Sequence, residues 1–461
     1  MTENILLINP PIYDFAAYDF FNKPLGLLYL ASVLQNAGYH TRLLDALDRN
    51  HPLLSQSQNL NIPKTKPNGT GKYVNQIIPR PPCLNNVPRQ YRRYGLPENL
   101  FTQALQTESQ KHPPRAILVT SMMTYWYPAV ADTINLIRQI IPHTPIALGG
   151  VYTTLLPDHA QRTCRPDQLF TGGSFTPVLK WLDDLTHQNR LDYPQTDDFT
   201  TWPDPAYHLY PKLNYLTLIS SLGCPFRCDY CAGPNLQPRL QQLPPSQFVD
   251  QLIRLLPLLQ SNTPLNIAFM DDALLAHADR HIIPILQKTA ALDLPLRFHT
   301  PNGLHCRFLT PQIAELMAAN RFRMIRLSFE SADSAQRWQH ASDHKIKNHD
   351  LVRAAQNLQN AGYRPPDLET YILTGLPGQT LDEINQSANF VHQLGTQVRL
   401  CQYSPIPGTP LFDLACRQYG IDPHEPLLHN NSILSCLEPR ISLNDFQHFK
   451  DHIKNLNHSL S

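Results

Sequence analysis

Short apolar runs alternate with stretches whose apolar residues recur every three or four positions, and this pattern fills the first 180 residues. ILLIN at 5–9, HTRLLDA at 40–46, AILVTS at 116–121, PIALGG at 145–150 and LFTGG at 169–173 have the length and content of buried strands. Between the first two, PLGLLYLASVLQNAG at 24–38 sets Leu27, Leu30, Ala31 and Leu34 on one helical face and stops at Gly38, a natural helix end. A second helical stretch surrounds ADTINLIRQII at 131–141. Such alternation predicts an α/β unit with a parallel, doubly wound sheet. Ligands of these sheets sit beyond the carboxyl ends of the strands. Here those ends carry Asn9-Pro10-Pro11, Asp45, Thr120-Ser121-Met122-Met123-Thr124, Gly149-Gly150 and Gly172-Gly173.

The pattern lapses over 50–113, which is rich in Pro, Asn and Gly and reads as an irregular insertion. Its Arg89, Arg92 and Arg93 with Tyr91 and Tyr94 suit either a solvated basic loop or a grip on a phosphate or carboxylate. DYPQTDDFTTWPDPAYHLYP at 192–211 reads as a linker. Beyond it, strand-like runs recur six times: YLTLISS at 215–221, LNIAFM at 265–270, LPLRFHT at 294–300, MIRLSFE at 324–330, LETYILTG at 368–375 and QVRLCQYS at 397–404. Helical segments intervene, so a partial (β/α)6 barrel is predicted, with its chemistry in the loops after the strands. The division expected is 1–185 for the first domain, 186–214 for the linker, 215–415 for the barrel and 416–461 for a helical tail. That tail carries Phe446, Phe449, Ile453 and Leu456 on one face and is expected to close one end of the barrel.

Composition narrows the function. The chain of 461 residues has 38 basic and 37 acidic side chains, which gives no electrostatic reason to expect nucleic acid or an anionic membrane as partner. MTENILLINPP lacks the basic start of a secretory signal, and no apolar run is long enough to span a bilayer. Nine cysteines without a signal are read as thiols or metal ligands in a cytoplasmic protein.

Three of those cysteines fall in LGCPFRCDYCAGP at 222–234, directly after the first barrel strand. Zinc usually takes four ligands in paired units, and no second pair follows. An iron–sulfur cubane normally takes four cysteines, and supplying three leaves one iron open. Cys224, Cys228 and Cys231 are therefore assigned to a 4Fe-4S cluster.

The run Cys224-Pro225-Phe226-Arg227-Cys228-Asp229-Tyr230-Cys231, placed after strand one of a six-unit barrel, resembles the signature of radical S-adenosylmethionine enzymes. The resemblance implies that the open iron binds S-adenosylmethionine and that the reduced cluster cleaves it to a 5′-deoxyadenosyl radical. It also implies an electron donor such as flavodoxin or ferredoxin. Tyr230 takes the place of the family's aromatic residue near adenine. Asp271 and Asp272 stand where a Gly-Gly-Glu turn receives the methionine amino group. Ser328 and Glu330 resemble the polar end of strand four. Gly375, Pro377 and Gly378, with Glu383 following, resemble the strand-five motif, and SPIPGTPLF at 404–412 the strand-six ending. His299, Asn302 and His305 are candidates to face substrate.

The first domain, with its NPP strand end, TSMMT loop and LGG turn, resembles the Rossmann/flavodoxin-like cobalamin-binding domain of cobalamin-dependent radical enzymes. That resemblance implies cobalamin over Asn9, Pro10, Thr120, Ser121, Met122, Met123 and Thr124, with its tail near Gly149 and Gly150. The D-x-H-x-x-G motif is absent: Asp279-Arg280-His281 and Asp422-Pro423-His424 lack the glycine, so no histidine ligand to cobalt is expected. The implied activity is methylation of an unactivated carbon of a small molecule or peptide. Alternatives are a radical rearrangement or ring closure without cobalamin chemistry, a first domain that binds only substrate or partner, and a non-catalytic iron–sulfur binding or redox module.

Overall fold

The computed structural model describes residues 3–57, 60–259, 264–332, 346–436 and 441–460. Two compact units divide at Tyr215 and Leu216, and short segments around 255–259 and 424–428 belong with the first.

In the first unit, β1 (Asn4–Asn9), β2 (His40–Asp45), β3 (Ala116–Ser121), β4 (Ile146–Gly150) and β5 (Gln168–Leu169) form one parallel sheet in the order β5-β4-β3-β1-β2. Ile5, Leu6, Leu7 and Ile8 are all buried. A strand covered on both faces gains from a continuous apolar run, which explains why ILLIN does not alternate. Leu6 and Ile8 share a core with Leu44, Ile117, Val119, Leu148, Val130 and Ile134, and successive residues of the strand face the opposite way.

That core holds a helix that the sequence reading assigned to the insertion. Glu98–Lys111 buries Leu100, Phe101, Ala104 and Leu105 against the sheet, so the irregular part of 50–113 ends at Pro97. Before it, the short antiparallel strands Ile12–Asp14, Arg92–Tyr94 and Asn75–Ile77 pair. Neither reading of the basic cluster describes Arg93. It is buried, with Nε donating to Leu96 O at 3.1 Å and Nη1 to Tyr13 Oη at 2.9 Å. The Tyr91 and Tyr94 hydroxyls donate to the backbone oxygens of Tyr13 and Phe15. These residues fasten the insertion to the chain after β1.

The expected linker is packed as well. Phe199, Ala206, Tyr207, Tyr210 and Leu213 are buried, and Trp202 lies 5.2 Å from the Tyr29 ring of the helix Leu25–Asn36. Ser32 Oγ donates to Asp204 O at 2.6 Å. Its aromatic residues turn a Pro-rich connector into part of the domain.

In the second unit, β6 (Leu216–Leu218), β7 (Leu265–Phe269) and β8 (Leu296–His299) pair in parallel in that order. A second parallel sheet runs from the short strand Leu304–His305 through β9 (Ile325–Ser328) and β10 (Leu368–Thr374) to β11 (Gln397–Gln402). A bridge between His299 and Arg323 joins the two into one curved wall. Outside the wall, Phe248, Phe269, Phe298 and Phe322 pack with neighbouring ring centroids 5.2 to 6.0 Å apart. Such pairs contribute about 0.5–1.5 kcal/mol each beyond area burial. The tail helix Leu443–His458 packs on the helix Leu381–Gln393 and alongside β11, burying Phe446, Phe449 and Ile453. It thus flanks the last strand instead of closing a barrel end. Among the described residues no helix is long and apolar enough to cross a membrane.

Candidate functional site

The cysteine loop leaves the carboxyl end of β6 through Ser220 and Ser221, and Asp271 fixes that exit. Its buried carboxylate accepts from Ser220 N at 3.0 Å, Ser220 Oγ at 2.7 Å, and Ser221 N and Oγ at 2.6 Å each. His281 Nε2 lies 2.9 Å from Ser220 Oγ and extends the network. Because β6 and β7 are parallel neighbours, the residues just past their ends must meet, and a carboxylate there satisfies the backbone amides of the strand end. Asp271 is committed to this clamp. Asp272, next along, is exposed and close enough to Cys224 and Cys231 to raise their pKa values through its charge.

Gly223 adopts φ +85°, and a β-carbon there would stand 2.5 Å from Arg239 O, so only glycine serves at the start of the loop. Past it, Cys224 and Cys228 are half-buried and Cys231 is exposed, and all three are free thiols. Cys231 N donates to Cys228 O at 3.0 Å, a tight turn that brings the last two together. Gly233 N points at Cys231 Sγ from 3.3 Å, an interaction that in iron–sulfur proteins tunes the cluster potential. Burial pushes Cys224 up to about 11 and Cys228 up to about 12, so these thiols hold their protons until metal displaces them. Among the described residues no three His, Cys, Asp or Glu side chains are placed to hold a single metal ion. A cubane takes each thiolate on a different iron, so three soft donors spread over one loop fit it.

Two further segments brace the loop. Asn235 Nδ2 donates to Gly408 O at 2.8 Å, and Leu411 N to Asp229 O at 3.1 Å, which ties the loop to SPIPGTPLF. The Tyr230 hydroxyl donates to Glu330 Oε1 at 2.7 Å and also reaches the Cys228 sulfur. Two candidates a hundred residues apart are thereby joined. Below them, Arg326, Ser328, Glu369, Tyr371 and Arg399 share the face of β9 to β11 opposite the helices, as the strand registers require. Glu369 accepts from Arg326 Nε at 2.8 Å and from Arg399 Nε at 2.7 Å, which leaves a net positive charge on this polar floor.

The other candidates divide. Gly375 and Gly378 adopt φ +78° and +75°, forming the turn over which Thr380 and Glu383 cap the helix Leu381–Gln393. Gly378 N donates to Tyr419 Oη at 2.6 Å. His299 is buried on β8 with Nε2 2.9 Å from Asn266 Oδ1, and Asn302 Nδ2 donates to the backbone oxygens of Met270 and Asp271. Both support the wall. His305 lies against Phe226 and Phe308, with centroids 4.8 Å from each. Ser220, Ser221 and His281 were missed by the sequence reading, although the serine pair and the aspartate pair end adjacent strands.

In the first unit the parallel sheet brings Asn9, Ser121 and Gly150 to one edge, and the strand order reverses between β1 and β3. Pro10 and Thr124 are buried beside that point, and Thr120 is partly so. Asn9 Nδ2 donates to Asp45 Oδ1 at 2.7 Å, and Ser121 Oγ to Gly149 O at 2.8 Å. Gly150 has φ +110°, and a β-carbon would stand 2.2 Å from Ser121 O. Met122 and Met123 are 40% and 42% exposed, apolar side chains held in solvent at the crevice.

The Radical SAM superfamily profile matches residues 218–391. The hopanoid C-2 methylase of Rhodopseudomonas palustris is 27% identical over 294 residues, which cover 59% of this chain and 53% of that protein. The chain therefore spans about half the length of that relative. Cytidylyl-2-hydroxyethylphosphonate methyltransferase of Streptomyces wedmorensis is 20% identical over 92% of this chain and 84% of its own length. Among solved structures, the radical S-adenosylmethionine methyltransferase TsrM of Kitasatospora setae, with cobalamin and a 4Fe-4S cluster bound, superposes with a TM-score of 0.63 at 14% identity. It covers 91% of this chain and 79% of its own, and the likeness is one of fold. The cysteine loop, its clamp and the strands β7 to β10 all lie within the stretch that this profile matches, so residues 218–391 carry a radical S-adenosylmethionine domain.

Proposed function

We propose that this protein is a cobalamin-dependent radical S-adenosylmethionine methyltransferase acting on an unactivated carbon of a small-molecule or peptide substrate. When bound, the 4Fe-4S cluster supplies the electron that cleaves S-adenosylmethionine, and cobalamin supplies the methyl group. Both imply an external reductant of flavodoxin or ferredoxin type. The residues divide the remaining work. Cys224, Cys228 and Cys231 hold the cluster, and the Asp271 clamp holds their loop. We assign the methionine amino group to Asp272, because Asp271 is already occupied by four donors and an ammonium seeks free acceptors. Tyr230 and Glu330 orient the cofactor beside Cys228, and Ser328 lies on the same floor. The Gly375–Gly378 turn borders the adenine.

The observation that carries the cobalamin part is the pair Met122 and Met123, exposed at the reversal point of a Rossmann-like sheet. Two polarizable apolar side chains suit the face of a corrin, and residues 9–11, 120–124 and 149–150 contain no histidine to compete for cobalt. The test is anaerobic. The protein is purified with cobalamin supplied, the cluster reconstituted, and iron, sulfide and cobalt counted, followed by an assay for 5′-deoxyadenosine with reductant and S-adenosylmethionine. About four irons per chain, stoichiometric cobalt and deoxyadenosine are expected. Iron and deoxyadenosine without cobalt would remove the methylation reading, and absence of a cluster would remove the whole proposal.

A further inference from the structure

Among the described residues the sheet of the first unit ends at β2, and a cavity of about 530 Å³ lies beside that strand. The helix Glu98–Lys111 and the segment 208–211 form its other walls. Leu43, Leu53, Ala104 and Leu209 give it an apolar lining, which at this volume suits a small organic molecule. None of residues 9–11, 120–124 and 149–150 lines it, so the cavity is separate from the crevice assigned to cobalamin.

One polar group in its wall is left incomplete. Asp48, in the turn after β2, is only 4% exposed. One of its oxygens accepts from Asn50 N at 3.0 Å, and no donor reaches the other among the described residues. Asp45, three positions earlier, has its carboxylate filled by Asn9 Nδ2, Leu47 N and the Tyr210 hydroxyl. Burial raises Asp48 to about 6, so it is ionised at neutral pH. Lys23 opposes that rise through its charge, but the same ammonium also lowers Asp19 and lies 4.1 Å from the centroid of the Tyr210 ring. The other charges of the wall are accounted for. Arg42 holds Glu108 through hydrogen bonds of 2.9 and 3.0 Å, and Lys111 is exposed to solvent. Burial keeps His51 and His208 neutral. A buried carboxylate with a free oxygen calls for a cationic donor.

We propose that this cavity binds a small primary amine, with its ammonium on the free oxygen of Asp48 and its apolar body along Leu43, Leu53, Ala104 and Leu209. An ammonium supplies opposite charge and hydrogen-bond donors together. A carboxylate or phosphate ligand would meet Asp48 as a like charge, and a neutral alcohol would leave that charge uncompensated. Binding is noncovalent and independent of the cofactors held elsewhere in the chain.

The probe is pentylamine, titrated against the full chain at neutral pH and followed by ligand-observed saturation-transfer NMR. Pentanol and pentanoate, of the same chain length, serve as comparisons and need no protein variant. Pentylamine is expected to bind, and each comparison to bind about tenfold or more weakly, the scale of one hydrogen bond to a charged group. Asp48→Asn keeps the shape of the side chain and should cost a similar factor, with the fold checked by circular dichroism. Thr107→Trp, in the cavity wall on the helix Glu98–Lys111, should block entry while Asp48 stays in place. No binding of pentylamine at millimolar concentration would overturn the proposal. So would pentanol bound as tightly as the amine, since the cavity would then read apolar surface alone. Unchanged affinity in either variant would overturn it too, by placing the amine at another site.

Discussion

The Tyr230 hydroxyl donates to Glu330 Oε1 at 2.7 Å, tying the residue before the third cysteine to the chain just past β9. The bond orients a carboxylate at the place where the cluster loop meets the barrel wall. Tyr230→Phe removes the donor and leaves every cysteine in place. Iron content is expected to stay at the wild-type level, and affinity for S-adenosylmethionine to fall about tenfold, or ~1.4 kcal/mol, the scale of one hydrogen bond to a charged group. Equilibrium dialysis on the reconstituted protein reads the affinity. An unchanged value would show that Glu330 needs no orientation.

The cluster assignment separates the three clustered cysteines from the rest. Cys224→Ala, Cys228→Ala and Cys231→Ala should each lose most of the bound iron after reconstitution, whereas Cys83→Ala, at an exposed position, should retain it. Iron and sulfide analysis of the four variants decides.

Stability of the barrel should fall in mild acid. Burial pushes His281 down to about 4 and His299 down to about 3. The unfolded chain takes up protons below pH ~6.5 and the folded one does not, so stability is full above that pH and declines as pH falls toward 4. At pH 5 each histidine accounts for a loss of about 2 kcal/mol, from ~1.5 pH units at ~1.4 kcal/mol each. Asp271 acts in the opposite sense, because burial raises it to about 6 and protonation below that pH favours the fold. Its gain at pH 5 is about 1.4 kcal/mol, which leaves a net loss of roughly 2–3 kcal/mol. Urea unfolding at pH 7 and pH 5 measures the difference, and His281→Gln/His299→Asn should reverse its sign.

Gly150 and Gly172 form a matched pair for backbone strain. Both have positive φ, but a β-carbon at Gly150 would meet Ser121 O at 2.2 Å, whereas none of the surrounding atoms lies within 4 Å at Gly172. Gly172→Ala should cost about 1 kcal/mol, and Gly150→Ala at least ~3 kcal/mol because backbone must move as well. Thermal melts of the two variants test the ranking.

Met122→Lys/Met123→Lys places charge at the apolar crevice without disturbing the core, since both side chains are already about 40% exposed. Surface changes of this kind shift stability by only about 0.5 kcal/mol. Cobalt retained after gel filtration is expected to drop at least tenfold while the melting temperature stays within ~2 °C. Full cobalt retention would place the corrin elsewhere.

The strands were legible because buried parallel strands are written as uninterrupted apolar runs, and LNIAFM and AILVTS differ from the observed elements by at most one residue. The helix Glu98–Lys111 carried its own signal, a Pro97 start followed by Leu100, Phe101, Ala104 and Leu105, but the Pro-rich text before it obscured the change of period. Arg93 was illegible for a different reason. Its burial depends on Tyr13, eighty positions earlier, and pairing at that range leaves no local trace. The same holds for Asp271. Adjacent aspartates look equivalent on paper, and only the parallel pairing of β6 with β7 assigns one to the serine clamp and leaves the other exposed.

That clamp is made entirely from the chain's own atoms, so the exit of β6 is fixed by two serines and an aspartate and calls on no metal ligand. The mounting of the cysteines and the donors they offer are thus separate duties, written in different parts of the sequence.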